Sequence, residues 1–581
     1  MRTIETDVLV VGAGPAGLTA SLLLATYGVD AVTVTKYPGT AHSPRAHITN
    51  QRTVEVFRDL GIEDRVREVA TSNDLMGNNV WATSFAGDEI ARLMTWGSGV
   101  RRNADYREAS PSEMCNIPQH VLEPVIRKAA EERGADLRFN TEMLTIEQDD
   151  DGVTATVRDR ESGEEYAVRA RYAIGADGGR SRVAEQIGFP FTGETGLGAA
   201  VNVWLEADLT KYTEHRPGTL YWMTQPGNDY WVGSGTWICV KPWTEWVLLF
   251  MYDPAEGEPD MSVEAVTQRA HTTIGDPEVE VSVKAVSTWQ INHIAADQMR
   301  RGRVFLAGDA AHRHPPANGL GTNTSIQDSF NLAWKLAAVL RGDAGEELLD
   351  SYDAERQPVA RQVVDRAMKS VGDMLPISQA LGFEPGQSAE DGWASLTELF
   401  SATERGAVRR ERLAEAVELQ NYQFNAHGVE LGQRYTSGAV VPDGSDWPEP
   451  TRDPELFHHA TTHPGAVIPH AWVQRGTERV STLDLVGRGR LTLVTGADGA
   501  DWAEAAGKVA AELGVELDVA CVGARCDYDD VYAEWSRLRE VSDSGALLVR
   551  PDRHIAWRAM NRLEEPIEEL RAALTTVLAR T

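Results

Sequence analysis

Residues 7–36 restrict the fold more than any other stretch of the chain. Asp7 leads into Val8–Val11, an unbroken apolar run of the kind that fills a strand buried on both faces. Gly12, Gly14 and Gly17 follow as a G-x-G-x-x-G turn, with Pro15 and Ala16 inside it. From Pro15 to Tyr27 the spacing predicts a helix with Leu18, Leu22 and Leu23 on one side and Gly28 as its stop, and Val29–Val34 predicts a second strand. A βαβ unit with glycines at those places is a dinucleotide-binding fingerprint. Gly12 allows the tight turn, Gly14 lets a pyrophosphate approach the backbone, Gly17 lets helix and strand pack closely, and the helix N-terminus offers free N–H groups to phosphate. The fingerprint expects an acidic residue after the second strand to hold ribose hydroxyls. Thr35 and Lys36 stand there instead, the threonine still able to hydrogen-bond.

At 581 residues the chain is too long for one core. Its formal net charge of −31 repels nucleic acid and anionic membranes, so a phosphate-rich ligand needs a local cluster of cations. Arg45, His47 and Arg52, just beyond the fingerprint, supply one. Cys115, Cys239, Cys521 and Cys526 suggest neither a disulfide framework nor a zinc site, and Cys521 and Cys526 read as two buried thiols. No run is long and apolar enough for a membrane span, and no signal peptide is read, so the expected compartment is the cytoplasm.

Further along, Asn50 or Thr49 predicts a cap for a helix ending near Gly61, and residues 74–112 read as an irregular insertion. A helix is expected over Val121–Arg133, then a hairpin from Thr154–Asp159 and Tyr166–Arg171 and an apolar run at Tyr172 ending in the Asp177-Gly178 turn. Between Phe191 and Ala285 short alternating segments rich in Trp and Tyr, including one at Tyr230–Val232, predict an inserted antiparallel sheet. The chain then returns to α/β with a strand ending in Gly308-Asp309, the loop Pro315-Pro316 to Gly319-Leu320-Gly321-Thr322-Asn323, and a long helix. A Pro- and Asp-rich linker at 440–455 precedes a small βα unit.

Gly12-x-Gly14-x-x-Gly17, Asp177-Gly178, and Gly308-Asp309 with Pro315-Pro316 and Gly319-x-Gly321-x-Asn323 together resemble the class A flavin-dependent aromatic hydroxylases. The run from Pro44 to Gly61 resembles the phenol and 2,4-dichlorophenol 6-monooxygenase group, and the run from Leu547 to Arg558 is similar to that group's thioredoxin-like C-terminal domain. The resemblance implies an α/β, p-hydroxybenzoate hydroxylase-like fold. A Rossmann-type FAD-binding domain (1–190, returning at 291–440) would carry an inserted substrate sheet (191–290), followed by a thioredoxin-like domain (441–581). It implies FAD as cofactor, with Gly12, Gly14, Pro15, Ala16 and Gly17 at the pyrophosphate and Thr35 and Lys36 at the ribose position. Arg45 and Gln119 would meet the phosphate and ribityl region and Asp309 the ribityl chain, while Pro316, Gly319 and the amides of Leu320, Gly321, Thr322 and Asn323 would lie along the flavin. Asp177 would serve FAD and NAD(P)H, expected as NADPH, indirectly, because no second nucleotide motif is present. The implied partners are O2, a small aromatic substrate and further copies of the chain, with no nucleic acid, membrane or metal.

The implied reaction runs through a flavin C4a-hydroperoxide, and the protein must exclude water and orient the ring. His47 stands where some relatives carry a carboxylate beyond the arginine. It either binds or deprotonates the substrate hydroxyl, as a neutral imidazole near pH 7 can, or bonds only to backbone within its loop. Trp222 and Trp289 are substrate-wall candidates or core residues, and His312 and His314 read as loop contacts to flavin or solvent. A flavin disulfide reductase is disfavoured by the missing C-x-x-C, and a halogenase by the missing lysine motif. A non-catalytic flavin carrier and a biosynthetic hydroxylase of a natural-product ring remain as alternatives.

Overall fold

The computed structural model describes residues 2–227 and 234–580, and the segment expected at Tyr230–Val232 lies outside them. The fingerprint forms as its sequence predicts: strand Thr3–Val11, helix Pro15–Thr26, strand Ala31–Val34. Thr3–Val11 sits between Ala31–Val34 and Glu165–Gly175, parallel to both, in a sheet extended by Asp136–Arg138 on one side and Val304–Leu306 on the other. The runs read separately at Tyr166–Arg171 and Tyr172 are one strand, Glu165–Gly175, whose first half also pairs with Val153–Asp159 as a hairpin arm. The helix Pro15–Thr26 is apolar nearly all round because it is enclosed on several sides, by its own sheet and by the long helix Gly321–Arg341 among others.

The second sheet follows the order His312–Arg313, Ser282–Ala296, Phe191–Glu206, Glu245–Tyr252, Gly235–Lys241, Gly218–Met223, Asn78–Ala82, Glu89–Met94. Two expectations are corrected here. Residues 74–112 are not an irregular insertion: they supply two strands of this sheet, so the segment 1–190 is not confined to the first sheet. Nor is the sheet wholly antiparallel, since Gly218–Met223 runs parallel to Asn78–Ala82. The reason is connectivity: a strand arriving from far upstream has no hairpin to reverse it. One face of the sheet packs Val201, Val203, Tyr221, Trp237 and Leu248 against the helix Val263–Ile274.

Beyond residue 460 a four-stranded sheet in the order Leu517–Cys521, Leu491–Thr495, Ala546–Val549, Ile555–Ala559 packs against helices Ala500–Leu513 and Pro566–Val577. Cys521 and Cys526 are not free thiols, as expected from their spacing, but form a disulfide. The turn after Cys521 folds back so that the Tyr528 amide donates to the Cys521 carbonyl, bringing the two Cα atoms to 5.1 Å.

This C-terminal unit is joined to the rest through buried charge. Arg550 donates to both oxygens of Glu355 at 2.6 and 2.8 Å, and also to Asp552. Lys335 on the long helix meets Glu355 at 2.7 Å, and Asn331 donates to Glu355 and Asp552. The cluster holds two cations and two carboxylates, all essentially without solvent contact. Burial works against the ionised Glu355, but Arg550 and then Lys335 hold it well below the usual carboxylate range. Burial pulls Lys335 down to about 8. Removing one member leaves an uncompensated buried charge, which costs roughly 3–5 kcal/mol. Arg550→Met is therefore expected to lower the unfolding free energy, extrapolated from urea titration, by that scale. Glu516→Gln, at the exposed pair with Arg490, should change it by less than about 1 kcal/mol.

Candidate active site

Two helix N-termini and one loop converge on the carboxyl end of the first sheet. At the first terminus, Gly12 has φ 110°, and a Cβ there would lie 2.1 Å from the Ala176 carbonyl oxygen. A Cβ on Gly17 would lie 1.9 Å from the Gly12 carbonyl oxygen. Both glycines are thus consumed by backbone packing. Gly14 differs: a Cβ there would meet nothing closer than Glu123 Oε1 at 4.0 Å. Its face opens onto the cradle at the helix start, where Pro15 and Ala16 begin the first turn and unpaired amides suit a phosphate.

Gly308 joins the first terminus to the second. A Cβ on it would stand 2.8 Å from Ser325 Oγ and 3.2 Å from Ala16 Cβ, so it packs between the fingerprint helix and the long helix. Its amide donates to Asp328 at 3.0 Å. Asp309, the next residue, is open to solvent at the floor of the cleft. Surrounding protein raises its pKa, opposed by the charges of His312, Arg313 and Arg45. Arg45 also acts on Glu123, whose carboxyl burial pushes upward. The exposed Arg45 guanidinium therefore lies between the Gly14 cradle and Asp309. Gln119 is beside it, its amide donating to the Arg45 carbonyl at 2.8 Å and its side chain to Glu123 at 2.6 Å. Sequence reading missed Glu123, which accepts from the Ala41 amide and ties down the loop at 37–44. The only signal was an acid beside Leu122 on a helix whose neighbours are buried.

The second terminus begins at Gly321. Asn323 accepts from the Asn50 amide at 2.9 Å and donates to the carbonyls of Ile48 and Gly319 at 2.8 and 2.6 Å. One side chain thus clamps the His47 loop to the helix start, with Leu320 buried beneath and Thr322 and Pro316 at the cleft. His314 donates to the Pro315 carbonyl at 2.7 Å, leaving Nε2 buried, without a partner among the described residues, and facing Gly321. Burial lowers it to about 4, so it is neutral. His312 departs from expectation: it touches neither flavin cleft nor solvent but bonds Asp328 at 2.9 Å in the core, where a carboxylate shared with Arg356 needs a second donor. Asp177 has a structural task at the same end of the sheet. Its carboxylate accepts from Ser181 and from the amides of Arg182 and Val183, capping the helix Arg182–Ile187. Thr35 is buried with its amide on the Arg138 carbonyl, and Lys36 is exposed beside Tyr37.

His47 meets the second sheet. Burial, then the neighbouring His120, lowers its pKa to about 3, against the Cys239 carbonyl that faces the ring. Its Nδ1 is buried and has no partner among the described residues. Trp222 donates to Asn79 at 2.7 Å and Trp289 to Asn202 at 3.1 Å, both from the sheet face opposite the helix Val263–Ile274. Trp222 belongs to the same apolar cluster as Ile48, next to His47. His47 thus meets the sheet at Cys239, with Trp222 three residues of strand along it and Trp289 farther still.

An open glycine cradle, an arginine between cradle and carboxylate, and a helix start with an unpaired imidazole acceptor beside it fit a flavin dinucleotide. Gly14→Ala is expected to leave folding intact, because its Cβ has room, while filling the cradle. The variant should keep the thermal midpoint of flavin-free wild-type protein yet retain at least tenfold less FAD, measured by absorbance after gel filtration.

Residues 5–367 match the family model described as FAD binding domain, and residues 461–581 match the one described as aromatic-ring hydroxylase, C-terminal. The chain is 50% identical over 577 residues to 2,4-dichlorophenol 6-monooxygenase of Delftia acidovorans, covering 99% of this chain and 98% of that one. It is 36% identical to tetracenomycin A2 monooxygenase-dioxygenase of Streptomyces glaucescens, over 100% and 98% of the two chains. Among solved structures, the flavin-dependent monooxygenase PieE, in complex with FAD and substrate, is 49% identical and superposes over the full length of both chains with a TM-score of 0.97. With the fingerprint cradle, the Asp309 cleft and the clamped helix start all in place, the chain belongs to the FAD-dependent aromatic-ring monooxygenases.

Proposed function

We propose that this enzyme hydroxylates a phenol-like ring next to its hydroxyl group, consuming one NAD(P)H, a proton and one O2 and releasing a dihydroxylated ring, NAD(P)+ and water. The observation that carries the reading is His47: a buried, neutral imidazole whose Nδ1 has no partner among the described residues, on the loop that Asn323 ties to the start of the long helix. Bound FAD supplies the electron transfer from NAD(P)H and the activation of oxygen. The protein's own part is positional. Gly14, Arg45, Gln119 and Asp309 hold the dinucleotide, and the start of the long helix directs its positive end at the ring system. Trp222 and the apolar cluster around Ile48 exclude water.

His47 acts as a hydrogen-bond acceptor rather than as a base. Its conjugate acid at about 3 lies some 7 units below a phenol near 10, so full proton transfer would cost on the order of 10 kcal/mol. Accepting the hydroxyl proton in a hydrogen bond still pushes electron density into the ring and fixes which carbon faces the flavin. Because His47 is neutral at every pH above about 3, kcat/KM should show no inflection from this residue between about pH 5 and 8. His47→Gln, which keeps an acceptor, should retain more activity than His47→Leu. The leucine variant should lose about tenfold or more in kcat/KM with the pH profile unchanged in shape. Oxygen uptake coupled to oxidation of NADPH, stimulated by a phenolic compound, tests the reaction itself; NADPH that is oxidised at the same slow rate with or without any phenol speaks for the flavin-carrier alternative.

The same reading takes the C-terminal unit as thioredoxin-like. Its support is the sheet order, with Leu491–Thr495 parallel to Leu517–Cys521, Ala546–Val549 antiparallel to Leu491–Thr495, and Ile555–Ala559 antiparallel to Ala546–Val549. A homo-oligomer in the cytoplasm completes the reading.

A further inference from the structure

The wall beside His47 carries a second unsatisfied polar station. Along the second sheet, Trp222 pairs with Thr236, Thr236 with Leu249, and Leu249 with Asn202, making one row across four strands. All four lie on the face opposite Tyr221, Trp237 and Leu248, which pack on the helix Val263–Ile274. Two of the row's polar groups are engaged: Trp222 donates to Asn79 Oδ1, and Asn202 Oδ1 receives Trp289. Two polar groups at this end are not. Thr236 Oγ1 and Asn79 Nδ2 are buried and have no partner among the described residues. Thr236 is 3% exposed and Asn79 1%. Native proteins rarely leave such groups unpaired without a use. The row faces the cleft: Trp222 shares its apolar cluster with Ile48, whose carbonyl is held by Asn323 at the start of the long helix.

The placement relative to His47 gives the station its meaning. Thr236 lies three residues before Cys239 on the strand Gly235–Lys241, and Cys239 is where the His47 ring meets the sheet. Three residues of strand span roughly 10 Å. Allowing for a hydrogen bond at each end, that distance suits one aromatic ring with oxygen atoms on opposite sides.

We propose that Thr236 Oγ1 binds a second oxygen substituent of the substrate, a hydroxyl or carbonyl across the ring from the hydroxyl that meets His47. The inference rests on the reading of His47 given above. It assigns the substrate class: rings oxygenated at two positions, in preference to phenols whose other substituents are only alkyl groups or halogens. A ring lacking the second oxygen would bury the threonine hydroxyl unpaired, whereas one bearing it satisfies that hydroxyl.

The test uses the FAD-loaded full chain and two size-matched phenol series, one with para-alkyl or para-chloro substituents and one with para-hydroxyl or para-acyl substituents. Coupled oxygen uptake gives kcat/KM for each. The wild type is expected to favour the second series by about tenfold or more. Thr236→Val, nearly isosteric, should shrink that ratio about tenfold, and Thr236→Ser should restore it. Perturbation of the flavin spectrum on binding gives dissociation constants as a second measurement, and Thr236→Ala replaces the valine variant if the latter loses flavin. A wild type indifferent between the series, or a valine variant that keeps the ratio, overturns the proposal. If no phenol of either series stimulates oxygen uptake, it is the hydroxylase reading that fails, an outcome distinct from loss of the ratio.

Discussion

Charge taken out of water must be matched at close range, and the helix Gly321–Arg341 carries two such charges through the core. Asp328 accepts from the Gly308 amide, His312 and Arg356, and neither its ion-pair partners nor the carboxylate itself reaches solvent. Two turns later Lys335 is matched by Glu355, a carboxylate it shares with Arg550, whose own charge Asp552 also meets. Each partner comes from a different part of the chain: the strand-end turn at Gly308, the following long helix, and the C-terminal sheet. Apolar surface would tolerate small slips between these parts; paired buried charges do not. The helix is therefore fixed at both levels, and its N-terminus is presented at one place.

That presentation makes the site. Asp309 is held next to a backbone amide bonded to Asp328, so the core network sets the floor of the cleft. Asn323, on the first turn of the same helix, grips the loop carrying His47 by two of that loop's backbone groups. The loop in turn leans on the second sheet through the Cys239 carbonyl, to which Asn116 also donates. Core, cleft and second sheet are thus one chain of hydrogen bonds. Dryness at the wall follows from the aromatic cluster behind Trp222, and dryness is what removes the proton from His47.

Much of this was legible from local pattern. Three glycines after an apolar run place the cradle, because no other residue survives contacts as close as those at Gly12 and Gly17. Asn50 was readable as a cap and is one, accepting from the Thr53 amide. Strands rich in Trp and Tyr were readable as a sheet. What failed was anything that depends on a distant partner. Residues 78–94 look irregular until they pair with a strand more than a hundred residues downstream. His312 looks like a loop residue until Asp328 lies beside it. Cys521 and Cys526 look like separate thiols until a turn folds one back on the other.

Sequence by itself determined the dinucleotide cradle, the succession of α/β, sheet and α/β, and the candidate status of Arg45, His47 and Asp309. These follow from steric permission and from periodicity, both properties of neighbours along the chain. Only the tertiary structure decided that Gly14, of the three fingerprint glycines, has open space before it, that His47 is neutral, that Asp177 caps a helix, and that Thr236 Oγ1 is buried without a partner among the described residues. Those outcomes depend on burial and on which groups from remote segments arrive within hydrogen-bond reach, and neither quantity exists until the two sheets and the long helix have come together.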